Sequence, residues 1–148
     1  MAAYVDYNLG LHGFKNIEIN GSRVPSSITM TAAAGGANVS EVTYQVVDSD
    51  GNALAGVYNF VVYLSDAATG VGLTATSASG TVTAKAASGT VVGTSTAKKA
   101  LTIQTLATGA FILEITDTAK TTFYPCAVLP STGQSIVGTQ LATGDYGS

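Results

Sequence analysis

Residues 39–65 read VSEVTYQVVDSDGNALAGVYNFVVYLS, and the alternation in this stretch decides the fold. In residues 39–48, Val42, Tyr44 and Val46 fall on one face, with Thr43, Gln45 and Val47 on the other. Side chains of a strand alternate with period two, so this pattern predicts a strand with one buried face. Asp48-Ser49-Asp50-Gly51-Asn52 then supplies an Asp-Gly turn signal. Residues 57–65 form a second strand, with Tyr58, Phe60, Val62 and Leu64 facing one way and Asn59, Val61 and Tyr63 the other. A run that is apolar on both faces predicts a strand covered on both sides, or one that faces a partner.

The same signals recur outward along the chain. Short strands are expected at residues 71–76, 81–85, 90–94, 101–106, 110–116, 121–129 and 135–141, separated by turns at Gly80, Gly89, Thr108-Gly109 and Asp117–Lys120. No segment holds a helical period over more than two turns. Turn signals every 8–12 residues between such runs predict an all-β, two-sheet sandwich. Pro125 lacks a backbone donor, so its strand is expected to be an edge or to carry a bulge. Three segments are expected: an extended N-terminal arm (1–38) with one strand near residues 14–20, the sandwich (39–130), and a C-terminal tail (131–148).

Composition narrows the function. The chain has 148 residues, of which 10% are charged and 46% hydrophobic. Ala, Gly, Ser and Thr make up about half of it. An average domain is about 25% charged, so the surface here is built from small neutral residues. Six Lys and Arg stand against nine Asp and Glu, with no basic cluster, which argues against a nucleic-acid partner. The apolar run 60–64 is far too short to cross a bilayer, which takes about 20 residues. Residues 1–10 lack the basic and apolar regions of a secretory signal, so synthesis and folding in a cytoplasm are expected.

Catalytic raw material is sparse. His12 with Asp6 lies in a Gly-rich arm and reads as surface or contact residues. Cys126 is the single cysteine and has no histidine near it in sequence, so it reads as an inert buried thiol. Asp48-x-Asp50-Gly51-Asn52 resembles the start of a calcium loop, but Asn59 stands where the closing acidic ligand belongs, and a structural turn is expected. Glu18, Glu41 and Glu114 are the only glutamates and read as solvent-facing strand residues. Gly35-Gly36 lacks the Lys-Ser/Thr of a phosphate loop, and Lys98-Lys99 reads as a solvated turn. The reading is therefore of a protein that is not an enzyme and uses no cofactor or metal.

Surface aromatics are the remaining signal. Seven tyrosines stand against four phenylalanines. A tyrosine joins a large apolar body to a polar tip, which suits interfaces. Tyr44, Tyr58 and Tyr124 read as core. Tyr4, Tyr7, Phe14, Ile17 and Tyr146 lie in the terminal segments and are the expected interface residues, docking the arms on another chain.

Residues 46–64 (VVDSDGNALAGVYNFVVYL) and 105–129 (TLATGAFILEITDTAKTTFYPCAVL) resemble the Ig-like domains of bacterial adhesins and tailed-phage virion proteins. The shared pattern is a strand, then Asp-x-x-Gly-Asn-x-x-x-Gly, then an aliphatic strand, with a later pair of strands that carries aromatics. Tyr124-x-Cys126 also matches the tyrosine that precedes the strand-F cysteine of Ig-like folds. A short single domain flanked by two arms resembles the phage head decoration (cement) proteins more than the tandem adhesin arrays. The resemblance implies an Ig-like sandwich on the exterior of a virion, bound to the major capsid protein. It also implies a homo-oligomer, dimer or trimer. The alternative it implies is a carbohydrate- or receptor-binding module of a phage fibre or a bacterial surface.

Overall fold

The computed structural model describes residues 18–19 and 22–148. It is an all-β protein: two antiparallel sheets pack face to face as a sandwich. The strands are β1 (Glu18–Ile19), β2 (Ser22–Arg23), β3 (Ser27–Ala34), β4 (Val39–Val47), β5 (Asn59–Ser65), β6 (Val82–Ala84), β7 (Thr90–Thr96), β8 (Ala100–Gln104), β9 (Ala110–Thr116), β10 (Tyr124–Val128) and β11 (Ser135–Val137). One sheet has the order β3-β4-β9-β6 and the other β11-β10-β5-β8-β7, while β1 and β2 form a separate hairpin. Among the described residues, the one helical element is a 3-10 turn at Thr143–Asp145.

The period-two pattern of the sequence builds the core. Val42, Tyr44 and Val46 of β4 point between the sheets, as do Phe111, Leu113 and Ile115 of β9. Phe60, Val62 and Leu64 of β5, with Leu101 and Ile103 of β8, meet them from the other side. The Tyr44 and Phe111 rings sit 6.2 Å apart, tilted by 53°, a spacing that favours edge-to-face attraction. Gly109 turns the chain between β8 and β9 with φ at +77°, and a Cβ there would strike the Leu54 carbonyl. Only glycine takes that conformation and that approach without strain.

Several expectations change in the structure. Ser27–Ala34, read as part of the arm, pairs with β4 along its whole length, from Ser27 opposite Val47 to Ala34 opposite Ser40. Its inward residues Ile28, Met30 and Ala32 are spaced by Thr and Ala, a pattern with little apolar contrast, which hid it in the sequence. The tail also joins the sandwich. Residues 135–137 form β11, and Leu141 and Tyr146 are buried in the main core. Gly147 bonds to the β3–β4 turn through Asn38 and Val39. Residues 71–76 form no strand; they belong to a long loop between β5 and β6.

Pro125 lies on β10, an interior strand without a bulge in its pairing. Its carbonyl accepts from the Gly138 N–H at 2.8 Å. Its nitrogen faces the same side, just past Val137, where β11 ends. The missing donor falls at the end of the β10–β11 ladder, where one bond, from Gly138 to the Pro125 carbonyl, still joins the two segments.

Candidate interaction surface

The two sheets turn very different faces outward. On the four-stranded sheet the outer face carries Thr29 and Thr31 of β3, Glu41, Thr43 and Gln45 of β4, and Glu114 and Thr116 of β9, with Val39, Val47 and Ile112 as its larger apolar residues. Glu41 stands directly opposite Glu114, and the Lys85 ammonium lies 2.6 Å from Glu41 Oε2. That cation offsets a like-charge pair that would otherwise be unfavourable.

On the five-stranded sheet the outer face is polar at Asn59, Thr102 and Gln104 and apolar around β5, β10 and β11. Tyr63, Ala100 and Cys126 form a second buried cluster, with Tyr124, Val128 and Val137 packed against it. A loop lies over this cluster. The Tyr63 hydroxyl donates to the Gly70 carbonyl at 2.8 Å. Gly70 has φ at +69°, and a Cβ there would come within 2.6 Å of Val137 Cγ2 and 3.4 Å of Cys126 Sγ. The loop is held at its ends by Asp66. One carboxylate oxygen accepts from the Thr74 hydroxyl at 2.5 Å and the other from the Ala75 N–H at 2.8 Å. The Thr74 hydroxyl and the Ala75 N–H hold the Asp66 carboxyl below the usual aspartate range, against the opposing effect of burial.

The loop leaves apolar side chains in solvent. Val71 is 77% exposed and Leu73 43%. With Val61, Tyr63, Ala100 and Ser135 they border a shallow groove of about 410 Å³. Val92, at the bulge of edge strand β7, is 54% exposed. This groove was not legible in the sequence: residues 66–80 read as a strand and spacers, not as a loop folded onto β5. The signal that was present is the two-sided apolarity of residues 57–65.

The candidate residues of the sequence fall elsewhere. Tyr4, Tyr7, Phe14 and Ile17 lie outside the described residues, as do Asp6 and His12. Tyr146 is 3% exposed, and its hydroxyl donates to the Thr121 carbonyl at 2.6 Å, so it serves the core of its own domain. Burial raises its hydroxyl well above the usual tyrosine range, and Asp117 and Asp145 add to this.

Asp48 is buried and closes a turn. Its Oδ1 accepts from the N–H groups of Asp50 and Asn52 at 2.9 Å, and its Oδ2 pairs with Arg23 at 2.8 Å. Burial opposes its charge, but those N–H groups, with Arg23, hold the carboxyl below the usual aspartate range. Cys126 is fully buried, and burial pushes its thiol up to about 11, so it stays protonated near neutral pH. Among the described residues no group of three His, Cys, Asp or Glu side chains comes together. No family model, curated protein or solved structure matches the chain.

Proposed function

We propose that this protein is a structural, non-enzymatic component of a virion. It binds the outer surface of a phage capsid as a head decoration protein and reinforces the shell. The observation that carries this reading is the apolar cluster on the outer face of the five-stranded sheet, with Val71 and Leu73 exposed beside the groove. Fully burying an aliphatic side chain of this size is worth roughly 1.5–3 kcal/mol. A surface with few charges also loses little solvation when it docks on a broad partner. The Ig-like resemblance of residues 46–64 and 105–129 supports the same reading, with the major capsid protein as partner and a homo-oligomer as the form that binds.

Co-sedimentation with capsid shells tests it. The protein is expected to pellet with shells and to do so almost equally at low and high salt, because apolar contacts are not screened. Protein that stays in the supernatant at every concentration would overturn the reading. Binding to a glycan array, with none to shells, would favour the alternative of a carbohydrate- or receptor-binding module.

A further inference from the structure

Beyond β11 the chain leaves the five-stranded sheet and crosses to the other. The Gly138 N–H donates to the Pro125 carbonyl at 2.8 Å, the Leu141 N–H to the Phe123 carbonyl at 2.8 Å, and the Gly147 N–H to the Val39 carbonyl at 3.0 Å. Leu141 and Tyr146 are buried in the main core, and the Thr143–Asp145 turn packs against β3 and β4. The crossing segment is therefore fixed at both ends.

Between this segment and the sandwich lies a pocket of about 230 Å³. Its apolar wall is Met30 and Ala32 of β3, Val42 of β4 and Pro125 of β10. Val42 belongs to the main core, so the pocket reaches between the sheets. Its polar wall is Thr31 of β3 with Thr139, Gln140 and Asp145 of the crossing segment.

The polar groups are oriented by the fold and still have bonds to make. Gln140 Nε2 donates to the Thr122 carbonyl at 3.0 Å, which fixes the side chain and leaves its amide oxygen over. Asp145 Oδ2 accepts from the Ala142 N–H at 2.7 Å, which leaves Oδ1 over. Those two oxygens and the hydroxyls of Thr31 and Thr139 have no hydrogen-bond partner among the described residues.

These features define a ligand. Sites for drug-sized ligands measure about 300–1,000 Å³, so this smaller pocket takes a single small unit. Asp145 is its only charged residue, and a carboxylate beside a bound anion is repulsive. A carboxylate and an amide oxygen accept and cannot donate, whereas a hydroxyl does both. The complementary ligand therefore carries several hydroxyl donors, no negative charge, and an apolar face to lie on Met30, Val42 and Pro125. A neutral sugar ring has all three, with hydroxyls at its edge and C–H groups on its face.

We propose that this pocket binds one neutral sugar ring. The ring hydroxyls donate to Asp145 Oδ1 and the Gln140 amide oxygen and exchange hydrogen bonds with Thr31 and Thr139. The pocket shares no lining residue with the groove beside Val71 and Leu73, so the inference is independent of the capsid reading.

An amide NMR titration of the full chain tests it, with methyl glucoside, methyl galactoside, methyl mannoside and N-acetylglucosamine as probes and glucuronate as the anionic control. At least one neutral sugar is expected to give saturable shifts at Thr31, Ala32, Thr139, Gln140 and Asp145, with a dissociation constant of about 1–10 mM, and none at Ile103. Thr31→Val/Thr139→Val keeps the shape and removes both hydroxyls, and should weaken that binding at least about tenfold, while Thr43→Val on the outer face leaves it unchanged. Glucuronate is expected to bind at least about tenfold more weakly than methyl glucoside, and Asp145→Asn should narrow that gap. No saturable shift with any neutral sugar, or shifts centred elsewhere, would overturn the proposal. So would glucuronate binding as tightly as the neutral sugars, or unchanged binding in the Thr31→Val/Thr139→Val variant.

Discussion

The outer faces of the two sheets differ in chemistry: the four-stranded one is mainly polar, and the five-stranded one carries an apolar cluster under a loop. Along the four-stranded sheet, Thr29, Thr31, Thr43, Gln45 and the Glu41–Lys85 pair meet solvent. Along the five-stranded sheet, Tyr63 and Cys126 are covered by the chain's own loop, and Val71 and Leu73 of that loop are left exposed. A solvated face needs only strand propensity and polarity, which threonine supplies. An apolar outer face needs a cover, and here the cover is itself partly apolar. The difference shows where surface energy remains to be released on contact with a partner.

The sharpest intramolecular test is at Gly70. Gly70→Val forces a β-branched residue into a positive φ and drives its Cβ against Val137. A loss of about 3 kcal/mol is expected in urea unfolding, together with faster reaction of Cys126 with thiol reagents. Ala33→Val on the opposite face should change stability by no more than about 0.5 kcal/mol. Equal costs at the two sites would break the comparison.

A second test uses pH. The Asp66 carboxyl is held below its ordinary value, so the folded loop favours the charged form. Its contribution is present above the unfolded aspartate value of about 3.9 and is lost as pH falls through the lower folded value. An NMR titration of Asp66 is expected to give an apparent pKa below that of a free aspartate. In Thr74→Val, which removes the hydroxyl donor, it should move upward. A titration at the free value in the parent protein would show that the loop is not clasped as described.

The smallest effect belongs to the polar face. Lys85→Ala removes a surface ion pair at Glu41 and is expected to cost about 0.5 kcal/mol, diminishing in high salt. A cost of several kcal/mol would mean that the four-stranded face carries a network beyond this pair.

How much of this was legible follows from contrast in the sequence. Val42, Tyr44 and Val46 against Thr43 and Gln45 specify β4 and its buried side, and the two-sided run 57–65 marks β5 as covered on both faces. β3 was missed because a strand of Ser, Thr and Ala with Ile28 and Met30 has too little apolar contrast; its partner β4 supplies the order. The sequence places Tyr146 at an interface because the tail looks unable to form a core alone. It does not need to, since Phe123, Leu141 and Tyr146 share one core with the sheets. The loop over Cys126 depends on Asp66, Thr74 and Gly70 meeting in space, which no local pattern announces.

The most direct test of the central claim sets the two faces against each other in the capsid co-sedimentation assay. Val71→Asp/Leu73→Asp places charges at the groove of the five-stranded sheet, and Thr31→Asp/Thr43→Asp places the same number on the four-stranded sheet. The first variant is expected to bind shells at least about 100-fold more weakly, because each charge must be desolvated in an apolar contact, while the second binds within about twofold of the parent. Equal binding by the two variants, or a loss confined to the Thr31→Asp/Thr43→Asp variant, would contradict the account.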